Sequence, residues 1–164
     1  MKKVLLLLTV LCGLSISSFA QSSKQGHFSI GFDAGLPVGD ASDVYNAVIG
    51  GSLKYDLPIA AKTYFNVSAG YNAFLTKDRY KPFLGSSNGA VPLKAGLKYF
   101  ADQRFFIEGQ LGAAFSTESG GSTFFVYSPG VGYAFDGFEA GIRYEGWNNN
   151  GTISQLGLRL AVNF

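Results

Sequence analysis

The sequence predicts an all-β chain, an eight-stranded antiparallel up-and-down transmembrane β-barrel, and three observations carry that prediction. Eight segments of about ten residues alternate large apolar side chains with small or polar ones, the period of two that strands impose. The connectors are clusters of Gly, Pro, Asn, Asp and Ser, tight at 101–103 and 136–137 and longer at 76–89 and 117–122, as a meander requires. Charged side chains fall on the face opposite the large apolar set.

The segments run over 27–36, 46–57, 64–75, 90–100, 104–115, 123–135, 138–147 and 152–164. The first sets Phe28, Ile30, Phe32, Ala34 and Leu36 against Ser29, Gly31, Asp33 and Gly35. The second puts Gly50, Ser52, Lys54 and Asp56 on one face with Tyr55 on the other. The third, fourth and fifth carry apolar sets at Phe65, Val67, Ala69 and Tyr71, at Val91, Leu93, Ala95, Leu97 and Tyr99, and at Phe105, Ile107, Leu111 and Ala113. The seventh sorts Phe138, Ala140, Ile142 and Tyr144 from Glu139, Gly141, Arg143 and Glu145. The eighth sorts Leu156, Leu158, Leu160, Val162 and Phe164 from Gln155, Gly157, Arg159 and Ala161. The sixth does not sort at its start, where Phe124 to Tyr127 are consecutive and Ser128-Pro129-Gly130 follows. Proline cannot donate to a ladder, so a bulge or kink is expected there, with the facing of 123–128 left open.

Alternation of this kind suits a soluble ligand-binding barrel, with its apolar face inward, or a membrane barrel, with its apolar face outward. The other face decides between them. It is dominated by small residues such as Gly31, Gly35, Gly70, Gly96, Gly112, Gly132, Gly141 and Gly157. Small residues belong where side chains crowd a narrow barrel axis, and a water-facing surface has no need of them. The apolar face also places aromatics at strand ends, the belt that membrane interfaces select: Phe28, Tyr55, Phe65, Tyr99, Phe105 and Phe138 at the short-turn end and Tyr144 toward the other.

With the small face inside, five cations and five anions share the interior: Lys54, Lys94, Lys98, Arg143 and Arg159 with Asp33, Asp56, Glu108, Glu139 and Glu145. Strand counting puts Arg143, Arg159, Asp33 and Lys54 at similar depth, Arg159 opposite Asp33 across the closing seam, and Glu108 between Lys94 and Lys98. An eight-stranded barrel is just wide enough for its own side chains, so a balanced salt-bridge core is expected rather than a conduit. Placing Arg143 or Arg159 at the lipid midplane instead costs about 2–4 kcal/mol each, which fixes the register.

Residues 1–20 read as a cleaved secretory leader: Lys2 and Lys3, an apolar run from Val4 to Leu14, then Ser18-Phe19-Ala20. That run falls short of the roughly 20 residues a spanning helix needs. A linker over 21–26 and a barrel domain over 27–164 complete the organisation. Cys12 lies in the leader, so the mature chain has no cysteine, and 11 basic side chains balance 11 acidic ones. Neither a nucleic-acid footprint nor a polybasic membrane patch is present.

These features resemble the small eight-stranded outer-membrane barrels of the OmpA/OmpX type, and the outer membrane protein beta-barrel domain proteins of Bacteroidota in particular. The resemblance rests on the leader, "FSIGFDAGLPVG", "FFIEGQLGAAF", "FEAGIRYEGW" and the ending "LGLRLAVNF". It implies residence in the outer membrane among its lipid and lipopolysaccharide, both termini periplasmic, with three periplasmic turns and four outward loops. It also implies that Phe164, with Leu158, Leu160 and Val162 at alternate positions before it, is read by the outer-membrane assembly machinery.

Enzymatic and metal chemistry are poorly served. Gly85-Ser86-Ser87-Asn88-Gly89 spells a nucleophile elbow, but it falls in an outward loop rather than a strand-to-helix turn. The single histidine, His27, stands at the opposite membrane face, on the order of 25 Å away, so no base reaches the serine. One histidine and no mature cysteine do not make a zinc site, and Asp40, Asp43 and Glu118 read as solvated loop charges. The expectation is a barrel without catalytic residues or cofactors and with a structural, adhesive or interaction role. A narrow pore is the alternative, and a lipid-modifying enzyme comes third.

Overall fold

The computed structural model describes residues 26–118 and 120–164. The expected leader with Cys12, and the linker up to residue 25, lie outside the described residues. Eight antiparallel strands pair in sequence order and close, β8 against β1. They are β1 (His27–Val38), β2 (Tyr45–Ala60), β3 (Thr63–Thr76), β4 (Ser87–Phe100), β5 (Phe105–Ser116), β6 (Thr123–Phe135), β7 (Phe138–Asn148) and β8 (Thr152–Asn163).

The register gives the barrel its shape. A path that leaves β1 at Phe28 runs through Tyr55, Val67, Ala95, Leu111, Tyr127, Gly146 and Ser154 and returns to β1 at Val38, ten residues further along. With a 3.4 Å rise and strands 4.8 Å apart, that stagger over eight strands tilts them about 40° from the axis. A 12-residue strand such as β1 then spans roughly 30 Å of height, enough for the apolar band of about 25 Å.

Facing follows parity throughout. Ile30, Phe32, Leu53, Leu93, Leu111, Ile142 and Leu158 are exposed on the outer wall, while Asp33, Lys54, Lys94, Gln110 and Arg159 are buried inside. Of the belt residues, Phe28, Phe65, Tyr99, Phe105 and Tyr144 are exposed on that wall, and Tyr55 and Phe138 are half-buried there. Tyr127 covers Gly146, where an added Cβ would collide with its ring, so an aromatic from β6 protects bare backbone on β7.

The irregularity expected at Pro129 is absent. The β5–β6 register is unbroken from Phe105↔Tyr133 to Phe115↔Thr123, and Pro129 pairs with Gly109. Only the β6–β7 pairing lapses, between Tyr127↔Gly146 and Gly130↔Arg143, and it resumes in the same register. One missing N–H is tolerated because the flanking pairs hold the strand. Pro92 leaves a similar gap between Ala69↔Leu93 and Asn72↔Ala90. The facing of 123–128 resolves as Val126 and Ser128 buried within and Phe125 exposed without. Register shifts occur instead at both ends of β2, between Tyr45 and Ala47 and between Pro58 and Ala60.

At the end shared with the termini the connections are tight, at 61–62, 101–104 and 136–137. Gly137 takes φ 75°, the left-handed conformation that the Asp136-Gly137 turn needs. The other end carries 39–44, with one helical turn at Ala41–Val44, then 77–86, 117–122 and 149–151. The 77–86 loop folds into a 3-10 turn at Asp78–Tyr80 and a helical turn at Lys81–Leu84. Its Asp78 bonds Lys81 at 2.6 Å, which holds that carboxyl below its usual range.

The barrel interior as candidate functional site

Three layers fill the interior, stacked from the short-turn end outward. The lowest is ionic and centres on Glu139 of β7. Its carboxylate accepts from Lys54 Nζ at 2.7 Å, Lys98 Nζ at 2.8 Å and Arg159 Nη1 at 2.7 Å. Lys98 also donates to Asp56 Oδ2 at 2.7 Å, and Lys54 to Glu108 Oε2 at 2.9 Å. Arg159 completes its guanidinium on Ser52 and Ser29, each at 3.0 Å, while Asn66 and Gln110 extend the network from Glu108. The Phe106 ring lies 4.6 Å from Lys98 Nζ, and His27 Nε2 stands 3.3 Å from Asp56 at the barrel mouth.

The middle layer is smaller. Arg143 Nη2 donates to Asp33 Oδ1 at 2.8 Å and its Nε lies 3.2 Å from Glu145 Oε2. Lys94 bonds the same Glu145, which also accepts from Gln155 at 3.1 Å and from Trp147 Nε1 at 2.9 Å. That indole ties the ions to the outermost layer, an apolar plug of Val48, Phe74, Ala90, Ala114, Val126 and Trp147. Phe74 meets Trp147 edge-on at 5.1 Å, and Tyr45, Phe124 and Ile153 pack around them.

All ten charged residues singled out from the sequence are therefore inside, eight of them buried and Glu108 and Arg143 nearly so. Their partners differ from those expected in two places. Asp33 and Arg159 are backbone partners across the seam, yet the side chains diverge: Asp33 takes Arg143, and Arg159 takes Glu139. Likewise Glu108 reaches Lys54 and lies 4.0 Å from Lys98, while Lys94 crosses to Glu145. The strand tilt causes both changes, because residues at equal height are displaced along the strands from those that share hydrogen bonds. Glycine clears the diagonal paths: a Cβ on Gly31 would stand 2.7 Å from Arg159 Nε.

The plug was not anticipated, although parity contains it. Trp147 shares a face with Arg143 and Glu145, and Phe74 with Asn66 and Asn72. Large apolar residues inside a barrel are easily misread as part of the lipid-facing set. Little empty space remains among the layers. Two cavities of about 10 and 20 Å³ remain, both lined by Lys54, Glu108, Arg143 and Arg159, and neither is larger than about one water needs.

The sequence matches the outer membrane protein beta-barrel domain over residues 6–164. The chain belongs to that family. It is an outer-membrane β-barrel protein. No curated protein matches it. Among solved structures, Ail of Yersinia pestis in a phospholipid nanodisc is similar with a TM-score of 0.60 at 17% identity, covering 85% of this chain and 100% of that one. The N-terminal barrel of Pseudomonas aeruginosa OprF gives 0.62 at 16% identity, covering 85% and 100%. The outer membrane enzyme PagL gives 0.62 at 18%, covering 82% and 98%. At these identities the likeness is one of fold, and barrels of this shape include both enzymes and non-enzymes.

Proposed function

We propose that this chain is a non-enzymatic outer-membrane barrel with a sealed interior, serving a structural, adhesive or interaction role through its outer loops. The observation that carries this reading is the continuous filling of the lumen, by ion pairs through the lower and middle layers and by the Trp147 plug at the outer end. Five charges of each sign are consumed by one another, so no single-signed path is left to draw an ion through.

The enzyme reading lacks a catalytic pair. His27 is engaged with Asp56 at the short-turn mouth, while Ser86 and Ser87 belong to the opposite end. An interaction role is supported by the exposed loops and by the neighbour Ail, an attachment invasion locus protein that has also been crystallised with a heparin analogue. For biogenesis, Phe164 is 72% exposed beside Phe28, and Leu158, Leu160 and Val162 line the lipid face before it, an arrangement suited to recognition by the assembly machinery.

Planar-bilayer recording of the purified, refolded chain tests the sealed interior. A silent bilayer is expected, and steady unitary openings would replace this reading with the pore. Mass spectrometry of lipid A from cells with and without the gene is expected to give identical profiles, and a shifted acyl or phosphate pattern would reinstate the enzyme.

A further inference from the structure

We infer that Asn150, in the β7–β8 connection, is a modification site: it deamidates to aspartate and isoaspartate, with water as the only co-reactant. Asparagine precedes glycine twice in the sequence, at Asn88-Gly89 and at Asn150-Gly151. The pairing matters because the backbone nitrogen after the asparagine is the nucleophile, and glycine, lacking a Cβ, leaves its approach to the side-chain carbonyl open. The backbone must also be free to turn, so that this nitrogen and the asparagine Cγ come to the same side. The fold grants that freedom at Asn150, which is exposed, lies outside any strand and takes φ 53°. Its Nδ2 donates to Asn149 Oδ1 at 3.3 Å, and its own Oδ1 accepts no hydrogen bond among the described residues. The Gly151 N–H is likewise unbonded among the described residues, and a Cβ added to Gly151 would meet nothing within 4 Å.

Asn88 has the same following residue and the opposite surroundings. It lies in β4 opposite Phe74 of β3, and Gly89 lies opposite Ala73. Thr76 Oγ1 donates to Asn88 Oδ1 at 3.4 Å, Thr117 N donates to the Gly89 carbonyl at 2.9 Å, and Gly89 is buried against the Tyr71 and Thr117 side chains. Extended backbone pinned on both sides keeps the nitrogen and the carbonyl apart. At Asn150 the Gly151 nitrogen gives its proton to water and bonds Cγ. The Cγ–Nδ2 bond then breaks, the departing nitrogen takes a proton from solvent, and ammonia leaves a cyclic succinimide. Water adds to either succinimide carbonyl: opening at Cγ gives aspartate, and opening at the backbone carbon gives isoaspartate, whose chain runs through Cγ. No electrons are exchanged. The product places a carboxylate on a connection that has no charge of its own, next to the connection bearing Asp40 and Asp43 across the closing seam.

The test is peptide mapping by mass spectrometry of the barrel refolded in lipid vesicles and aged in heavy-oxygen water at mildly alkaline pH. Asn150 is expected to exchange its amide for an acid carrying the heavy oxygen, about tenfold or more faster than Asn88. In the chain unfolded by guanidinium the two sites are expected to react alike, because the fold alone separates them. Gly151→Ala hinders the attacking nitrogen, and since no contact opposes the added methyl the variant keeps the barrel, as a heat-dependent mobility shift verifies. It is expected to slow conversion at Asn150 about tenfold. No conversion at Asn150, equal rates at the two sites in the folded barrel, or a Gly151→Ala rate equal to wild type would overturn the inference. A preference for Asn150 that persists in guanidinium would overturn it as well, by assigning the difference to flanking residues instead of the fold.

Discussion

Glu139→Gln removes the charge on which the lower ionic layer converges. Three cations lie within 2.8 Å of its carboxylate oxygens, and the residue is 3% exposed. Without it, Lys54 keeps Glu108 and Lys98 keeps Asp56, but Arg159 is left with only the hydroxyls of Ser29 and Ser52. Breaking a buried pair by deleting one partner costs about 3–5 kcal/mol, because the surviving charge stays buried. With a urea dependence near 2 kcal/mol per molar, the unfolding midpoint should fall by about 2 M. Urea titration of the barrel in lipid vesicles, followed by fluorescence of Trp147 and by gel mobility, reads that shift. Pairing the substitution with Lys98→Met should cost less than the sum of the single changes, since the charge balance returns. A Glu139→Gln midpoint equal to wild type would refute the claim that these contacts hold the barrel closed.

Further expectations follow from the same geometry. Double-mutant cycles should show strong coupling between Asp33 and Arg143, which bond at 2.8 Å, and weaker coupling between Asp33 and Arg159 despite their paired backbones; the reverse order would contradict the diagonal pairing. Trp147→Ala should destabilise the barrel by about 3–5 kcal/mol, read as a lower temperature of the gel mobility transition, because it empties the centre of the plug and leaves Glu145 Oε1 with Gln155 as its one remaining side-chain donor. Gly31→Val should cost about 1–3 kcal/mol and lower refolding yield by displacing Arg159, whereas Gly109→Ala, with open space around its added Cβ, should refold like wild type.

How much of this was legible in the sequence depends on the level asked. Strand number, closure and facing were available because a period of two is a local property, and because Arg143 and Arg159 cannot face lipid at low cost. The partners of those arginines were not available. They depend on a stagger accumulated over eight strands, and matching residues by height from one end misses it. Arg159 shows the gap plainly: its neighbour across the seam could be counted, but the carboxylate it meets could not. The proline argument failed differently. Pro129 lacks a donor as expected, yet the strand holds its register because the β5 ladder is unbroken. Trp147 and Phe74 lie on the inward parity of their strands, but their meeting in one plug depends on contacts between strands far apart in sequence, which a period of two does not give.

The most direct test of a closed barrel with ions inside and apolar residues outside is a single-cysteine scan of β8 in vesicles. The single cysteine of the sequence, Cys12, precedes the barrel, so in a chain that starts at residue 21 each introduced site reports alone. A fluorophore at 156, 158, 160 and 162 should be quenched by spin-labelled acyl chains, while cysteines at 155, 157, 159 and 161 should resist both that quenching and water-soluble thiol reagents. Quenching without alternation, or ready aqueous labelling at 157 and 159, would contradict the account.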